Sequence, residues 1–383
     1  MRLLKTLLLL GLVGVGGLIW ATTAFAAPPI RIGVILPLTG ESELYGRQAK
    51  IGLDLAAREI NASGGILGRP VELIYRDDKS SPQTAAEAAR KSLKHDKIEA
   101  LIGPMVASAL DEVAPIAEKA RTPLLYAGSY EGGKCGRYIF STSALPSQEL
   151  DELLRYMGAH FGTSYYLLGS DDDWAHRMFV SAEPRIAAIG GTVTGKSYVK
   201  DDVVDFSSLI GEIAASKAKI LLLAMHQQAA RFISQAETKG LFKQITVAYL
   251  SLSEAEINAF AGIGQNMYAV VPFVATYDNP QTAAFVAKVH AHLGYDGPVS
   301  HHVATHYATL MAIRAAFEKA GVIDKEKLID ALEGLAIEGP TGRIVIGKDH
   351  HTTMTMFVAR TKDRTLVPVV TLGEIVPASG CYQ

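Results

Sequence analysis

Histidine is the residue type whose spacing in this sequence comes closest to that of a metal site. His302 and His306 lie four residues apart in a predicted helix that directly follows His301, and His350-His351 form a second pair. Residues four apart share one helix face, so two imidazoles could bind one metal ion. No glutamate is placed as in H-E-x-x-H, and no thiolate cluster accompanies the histidines. We therefore expect solvated helix and loop histidines, no metal site and no other cofactor.

Three aspartates followed by a tryptophan offer a second kind of chemistry. Asp171-Asp172-Asp173 follow a predicted strand, at an edge where carboxylates could hold a cation or a substrate ammonium group. They could equally cap the next helix. Trp174 could close over a ligand or pack into the core. If Trp174 belongs to a binding site, its change to alanine should weaken binding with little loss of fold stability.

The sequence patterns of common nucleotide-binding sites and nucleophiles are missing. The first predicted strand ends in Leu-Pro-Leu-Thr-Gly at 36–40, without G-x-G-x-x-G or G-x-x-x-x-G-K-[ST]. There is no G-x-S-x-G elbow, and no Ser–His–Asp or Cys–His arrangement stands out. We expect a protein that is not an enzyme.

Length and composition indicate a two-domain globular protein. A chain of 383 residues is too long for one compact core. Its 49% hydrophobic and 20% charged residues are typical of globular proteins rather than of disordered chains. A formal net charge of −2, without a basic patch, excludes the electrostatic footprint of a nucleic-acid binder.

The N-terminus carries the features of a cleaved signal peptide over residues 1–26. Arg2 and Lys5 precede an apolar stretch at 7–20, and Ala-Phe-Ala at 24–26 fits a cleavage site. An uncleaved membrane anchor is the alternative, although the segment is short for a span. No cysteine for a lipid anchor follows the apolar stretch. We expect an exported, periplasmic protein.

Two cysteines lie in the exported part of the chain, Cys135 and Cys381. An oxidising compartment permits a disulfide between them, which would tie the C-terminal tail to the loop after the fourth strand. Two unpaired buried thiols are the alternative.

Alternating strand-like and helical segments predict an α/β fold with two doubly wound, Rossmann-like lobes. One series of apolar runs starts near residues 30, 71, 98 and 123, and a second near 164, 192, 218, 245 and 267. Helical patterns between these runs put parallel strands in each sheet, with helices on both faces. Beyond residue 273 the pattern changes to helices at 282–293, 302–320 and 325–335 and short strands at 343–346, 354–360 and 366–371.

The segment 60–76 predicts a helix, a turn and a strand in succession. Asn61 and the pair Gly64-Gly65 can adopt the left-handed conformations that end a helix, and Pro70 prevents its continuation. An apolar run then begins at Val71. The sequence of this segment resembles that of the periplasmic leucine/isoleucine/valine-binding protein family, whose fold is the type I periplasmic binding protein fold. Two other segments share the resemblance, "RIGVILPLTGESELYGRQ" at 31–48 and "DFSSLIGEIAASKAKILLLAMHQQAARFISQAETKGL" at 205–241.

Three shorter pieces resemble the urea-binding and short-chain amide-binding branch of that family. They are Tyr126 with Tyr130-Glu131-Gly132, "IFSTSALPSQ" at 139–148, and Ser-Glu-Ala-Glu at 253–256. The resemblance implies a three-stranded hinge, with crossings near 142–146, 274–277 and 340–343. The lobes would then comprise 27–143 with 276–341 and 144–275 with 342–383.

The resemblance also implies a ligand site between the lobes, at strand ends and helix N-termini. By position, the ligand-binding residues would be Tyr45, Ala107, Ser108, Tyr126, Gly128, Ser129, Tyr130, Trp174, Ser251 and Ser253. Relatives usually carry serine at the position of Ala107, so the polar groups around the ligand differ here. An α-amino acid would need a carboxylate for its ammonium group, from Asp172, Asp173 or Glu254.

Three functions are open at this point. The first is the solute-binding protein of an ABC importer, which delivers a small amide, urea-like compound or amino acid to permease subunits with cytoplasmic ATPases. The second is a ligand-sensing receptor subunit for a signalling partner. The third is a branched-chain amino-acid-binding protein. In each, the ligand drives hinge closure through its contacts with both lobes.

Overall fold

A computed structural model describes residues 27–226 and 228–381; the signal peptide predicted at 1–26 lies outside the described residues. The strands are β1 Ile30–Leu36, β2 Val71–Asp77, β3 Ala100–Ile102, β4 Leu124–Tyr126, β5 Ile139–Ser141, β6 Ser164–Ser170, β7 Thr192–Val199, β8 Ile220–Ala224, β9 Thr246–Tyr249, β10 Tyr268–Val271, β11 Ala336–Gly339, β12 Gly342–Ile346, β13 Thr352–Lys362 and β14 Thr365–Ile375. The helices are α1 Glu43–Ala62, α2 Pro82–His95, α3 Ala107–Lys119, α4 Leu150–Phe161, α5 Asp173–Ala188, α6 Ser207–Ala215, α7 Ala229–Thr238, α8 Glu254–Ala259, α9 Pro280–Leu293, α10 His301–Ala320 and α11 Lys325–Leu332.

Two sheets organise the chain into two lobes, as predicted. The first lobe has five parallel strands in the order β2-β1-β3-β4-β5. The second sheet runs β7-β6-β8-β9-β10 in parallel and continues through the antiparallel strand β13 to β12 and β11, with β14 also on β13. Central strands such as β8 are buried along their whole length, which explains their continuous apolar sequence.

The turn at 61–71 shows how the sequence sets the start of the first lobe. α1 ends at Ala62, and Gly64 and Gly65 have φ values of 97° and 78°, which are left-handed as expected. The expectation that Asn61 is left-handed is wrong, because Asn61 lies within the last turn of α1. The Asn61 side chain accepts from Val71 N at 2.7 Å and donates to Val71 O at 2.9 Å. Asn61 therefore fastens the end of the helix to the start of β2.

The helices after β10 return to the first lobe. Phe285 of α9, Val303 of α10 and Leu328 of α11 belong to the same buried cluster as Ile32 of β1. Ile346 also lies in this cluster, whereas Met354 lies in a cluster of the second lobe. For the third crossing, which we predicted at 340–343, the packing favours a position after Ile346. The other lobe boundaries stay predictions.

The C-terminal tail is tied to the loop after β4 and to the segment before α4. A disulfide joins Cys135 to Cys381, and Ala378 N donates to Ser147 Oγ at 2.8 Å. No described helix has the length and apolar character needed to cross a membrane.

Candidate functional site

A cavity of about 310 Å³ lies between the two lobes. It opens at the carboxyl ends of the parallel strands, where α1, α3 and α5 begin. This is the edge at which open α/β sheets generally bind ligands. The volume is at the lower end of the range for small-molecule sites.

Seven of the ten predicted ligand-binding residues line this cavity. The first lobe supplies most of them, and the second lobe closes the opposite wall. They are Tyr45, Ala107, Ser108, Gly128, Ser129, Trp174 and Ser251.

The other three predicted residues lie behind the walls of the cavity and do not line it. Tyr126 is buried, and its hydroxyl donates to Met105 O at 3.0 Å and Ser129 O at 3.2 Å, which fixes two cavity loops. The Tyr130 hydroxyl and His351 Nε2 are 2.7 Å apart. Ser253 forms a capping box at the start of α8.

A hydrogen bond between Tyr45 and Glu256 joins the lobes across the cavity. The Tyr45 hydroxyl donates to Glu256 Oε1 at 2.8 Å, and Ser253 N and Oγ donate to Oε2 at 2.9 and 3.0 Å. Burial raises the pKa of the Glu256 carboxyl to about 7, against the lowering by these donors. Burial also raises the pKa of Tyr45, so its hydroxyl stays a donor at neutral pH.

A second bridge runs through Glu149, Ser251 and Ser129. Ser251 Oγ donates to Ser129 Oγ of the other lobe at 2.8 Å. Ser251 has φ of 56°, a left-handed conformation unusual for serine, and its N–H donates to Glu149 Oε1 at 2.7 Å. Glu149 is 5% exposed, and this burial raises the pKa of its carboxyl to about 7. The Glu149 carboxyl group therefore fixes the position of Ser251, whose side chain contacts the first lobe.

An aromatic wall stands beside these bridges. The Trp174 and His226 rings lie 4.7 Å apart between centroids, and Tyr45 packs edge-on to His226 and His302 at 5.7 and 5.3 Å. Within the described part of the chain, Trp174 Nε1 is buried without an acceptor. The indole N–H is thus a donor that a ligand oxygen could satisfy.

Trp174 is also a core residue, which corrects the expectation that its loss would leave stability intact. It is 6% exposed and packs in a second-lobe cluster with Ala175 and Met178. Truncating a buried tryptophan to alanine typically costs about 3–5 kcal/mol. A loss of ligand affinity in Trp174→Ala could therefore not be separated from a loss of fold stability.

Two of the three carboxylates expected to suit a ligand ammonium group lie at the cavity. Asp172 and Asp173 line the cavity. Asp172 Oδ1 also accepts from Ala175 N at 2.8 Å, so Asp172 is the N-cap of α5 as well. Glu254 points elsewhere: its Oε1 accepts from Ala275 N at 3.3 Å, and burial raises its pKa to about 8.

The expectation of solvated histidines is wrong. His301 and His302 are 6% exposed and His306 is fully buried, because α10 crosses the first-lobe core and buries several of its faces. Burial lowers the pKa of His301 and His306 to about 4. His350 and His351 are also buried; His350 stacks on Phe140 with centroids 3.9 Å apart, and His351 faces Tyr130. Among residues 27–226 and 228–381, no group of three or more His, Cys, Asp or Glu could hold a metal ion.

Ion pairs close the rim of the cleft. Arg177 on α5 donates to Asp111 Oδ2 of α3 at 2.7 Å and to Glu131 Oε1 at 2.8 Å. These carboxylates belong to the first lobe and the arginine to the second. The two lobes are therefore held together by contacts outside the cavity as well as within it.

Some lining residues were missed by the sequence reasoning, chiefly Ser42, Asp201, His226, Glu256 and His302. Asp201 follows β7 and His226 follows β8, so the rule that sites form at carboxyl ends of parallel strands would have found both. His302 had no such signal, because its orientation depends on how α10 packs.

The fold and the interlobe cavity together define a two-lobed binding protein. The family model described as "Periplasmic binding protein" matches residues 29–365. The chain therefore belongs to the periplasmic binding protein family, as the sequence resemblance predicted.

Relatives and solved structures agree with this assignment. A "Leu/Ile/Val-binding protein homolog 8" of Brucella suis is 25% identical over 357 residues, which cover 86% of each chain. A "leucine-, isoleucine-, valine-, threonine-, and alanine-binding protein" of Pseudomonas aeruginosa is 23% identical over 85% of this chain and 87% of its own. A Streptococcus pneumoniae branched-chain amino acid transporter substrate-binding protein, in complex with isoleucine, superposes with a TM-score of 0.81 at 21% identity, covering 91% of this chain and 100% of its own. A solute-binding protein of Rhodopseudomonas palustris, in complex with benzoate, gives 0.83 at 19% identity, with 92% and 98% covered.

Proposed function

We propose that this chain is the extracytoplasmic solute-binding protein of an ABC importer. It binds a small polar solute between its lobes, closes over it by hinge motion and presents the closed form to permease subunits. The observation that carries this proposal is the cavity of about 310 Å³, whose walls come from both lobes of a periplasmic binding protein. The protein acts without catalysis, after removal of residues 1–26.

The contacts between the lobes support ligand-driven closure. Tyr45 to Glu256 and Ser129 to Ser251 bridge the lobes at the cavity, and Arg177 bridges them at the rim. A solute in contact with both walls adds its own interactions to the closed form only. It therefore shifts the open–closed equilibrium by its differential affinity for the two states.

The polar groups of the cavity favour an amide, a urea-like compound or an amino acid. Ser108 is the second residue of α3, and Ser129 and Ser251 face each other across the cleft. Their hydroxyls and the helix N-terminus suit a carbonyl or carboxylate oxygen. Trp174 and Tyr45 supply flat apolar faces that exclude water. Asp172 suits an N–H or ammonium group on the same solute.

A branched-chain amino acid is the second candidate ligand. Relatives from Brucella and Pseudomonas are named for leucine, isoleucine and valine. Such a ligand needs an apolar subsite, and Met105, Met225 and Leu250 contribute apolar surface to the cavity.

A thermal-shift screen tests the proposal. Small amides, ureas, branched-chain amino acids and aromatic acids would each be added to the mature protein. A ligand at 100 times its Kd should stabilise the fold by about 2.7 kcal/mol. Ser108→Trp should abolish this shift by filling the cavity. Ser208→Trp is the matched control, because Ser208 is the second residue of α6 as Ser108 is of α3, and it is exposed and does not line the cavity. A shift that survives Ser108→Trp would contradict binding in the cavity.

A further inference from the structure

The C-terminal tail, residues 376–381, connects the two lobes outside the expected hinge crossings. It leaves β14, a strand of the second sheet, after Ile375. Its Cys381 is bonded to Cys135, which lies in the loop between β4 and β5 of the first sheet. The disulfide therefore gives the chain an additional covalent path from the second lobe to the first.

Side-chain hydrogen bonds hold the tail against segments close to two of the expected crossings. Ala378 N donates to Ser147 Oγ at 2.8 Å, next to the first crossing. Ser379 Oγ donates to Asp349 Oδ2 at 2.7 Å, in the segment where the packing favours the third crossing. The tail is thus fastened at the hinge before it reaches the first lobe.

The start of the tail is fixed as well. Gln148 is fully buried, and its Nε2 donates to Ile375 O at 2.7 Å and to Thr352 O at 3.0 Å. Because these bonds hold the last residue of β14, the second sheet supplies no extra length to the tail.

The loop that receives the tail, residues 127–138, is also a loop that contacts the second lobe. Its Ser129 accepts from Ser251 across the cavity, and its Glu131 pairs with Arg177 at the rim. Cys135 follows four residues after Glu131. Opening of the cleft separates this loop from the second lobe and therefore pulls on the tail.

The same segment that holds the tail also holds this loop. The Tyr130 hydroxyl lies 2.7 Å from His351 Nε2, and Gly136 O lies 3.1 Å from His350 Nδ1. Asp349, which binds Ser379, directly precedes these two histidines. Three consecutive residues therefore keep the tail and the loop side by side.

The number of residues in the tail sets the length of this connection. Two backbone steps separate Ser379 from Cys381 and span at most about 7 Å. The Cα atoms of the two cysteines are 5.6 Å apart. While Ser379 stays on Asp349, the Cα atoms of Ser379 and Cys135 can therefore be at most about 13 Å apart. A tail held only at Ile375 would reach about 26 Å.

We propose that residues 376–381 form a strap that limits how far the two lobes open in the ligand-free protein. This rests on the hinge motion of the proposed function and adds a device that acts before a ligand arrives. The strap excludes the widest open conformations, so less conformational entropy is lost when the lobes close. The closed form is then more populated, and the apparent affinity for a solute is higher in proportion.

Acrylamide quenching of Trp174 and small-angle X-ray scattering measure the opening without a ligand. In protein that begins at residue 27, Trp174 is the only tryptophan, and it is 6% exposed while the lobes are in contact. Cys135→Ser/Cys381→Ser should raise the quenching constant about two-fold, because fewer molecules keep Trp174 covered. The radius of gyration should increase with it.

A second variant keeps the disulfide, so that its result does not depend on whether the cysteine variant folds. Gly-Ser-Gly-Ser inserted between Gly380 and Cys381 adds about 13 Å of reach and should raise both readouts in the same way. The matched control carries the same insertion between Asp363 and Arg364, in the exposed turn from β13 to β14, and should give wild-type values.

The outcomes separate the strap from the proposed function. Wild-type quenching and scattering in the insertion variant would overturn the strap, and a thermal shift of the wild type by a solute would still support solute binding. More open lobes in the insertion variant, with no thermal shift of the wild type by any solute, would support the strap and contradict the proposed function alone.

Discussion

Titration of the Glu149 carboxyl should make the unfolding free energy of this protein depend on pH, and Glu149→Gln should remove that dependence. Its carboxyl is buried behind the cavity, with Ser251 N as a donor at 2.7 Å. Burial raises its pKa from 4.5 to about 7. The folded state therefore binds a proton more tightly than the unfolded state does. The contribution of Glu149 to stability is complete below pH 4.5 and is lost as the pH rises through 7.

The size of this pH dependence follows from the difference between the pKa of Glu149 in the folded and unfolded protein. A rise from 4.5 to about 7 corresponds to about 3 kcal/mol of unfolding free energy. Glu149→Gln cannot titrate, yet its amide oxygen can still accept from Ser251 N. The unfolding free energy of the variant minus that of the wild type should thus increase by about 3 kcal/mol between pH 4.5 and pH 8.

Urea unfolding followed by circular dichroism, at half-unit steps of pH, measures this difference. Glu112→Gln, which removes an exposed glutamate of α3, is the matched control for loss of one carboxylate. A difference for Glu149→Gln that stays constant across the pH range would refute the reasoning, since it would mean that the carboxyl is hydrated in the folded protein.

Three further predictions follow from single contacts. Trp174→Phe should weaken ligand binding by about ten-fold through loss of the indole donor, with a melting temperature close to that of the wild type; unchanged affinity by calorimetry would remove that N–H from the site. Arg177→Gln should weaken binding about five-fold by destabilising the closed form by about 1 kcal/mol, whereas Arg155→Gln, an exposed arginine paired within α4, should not; equal affinities would show that the rim ion pairs are energetically neutral. The native protein should show no thiol reactive to a maleimide reagent until reductant is added, and opening the 246-residue loop should cost about 5 kcal/mol in the chain-entropy model; two reactive thiols without reductant would disprove the disulfide.

Much of the fold could be predicted because short stretches of sequence determine where helices end and strands begin. Gly64 and Gly65 end α1 by their own conformational preferences, and β2 starts at Val71 as expected. The starts of β1, β6 and β7 coincide with the predicted apolar runs. Continuous apolar runs identify central parallel strands because both faces of those strands are covered by helices.

The parts of the site that could not be predicted depend on packing between distant segments. Tyr126 ends β4 and Ser253 is the N-cap of α8, but their side chains bond to the backbone and to the capping box rather than face the cavity. His302 reaches the cavity only because α10 packs against α1. Glu149 supports the cavity wall only through its hydrogen bond to Ser251, which is 102 residues away in the sequence. No local pattern encodes such pairings.

Tryptophan fluorescence tests the central claim, binding between the lobes, most directly. The chain has two tryptophans, Trp20 in the predicted signal peptide and Trp174 in the cavity wall. Protein that begins at residue 27 therefore reports on Trp174 alone. A solute that raises the melting temperature should change the Trp174 emission saturably, at one site per chain and with the Kd found by calorimetry. A solute that stabilises the protein but leaves the emission and acrylamide quenching of Trp174 unchanged would show that the ligand binds elsewhere.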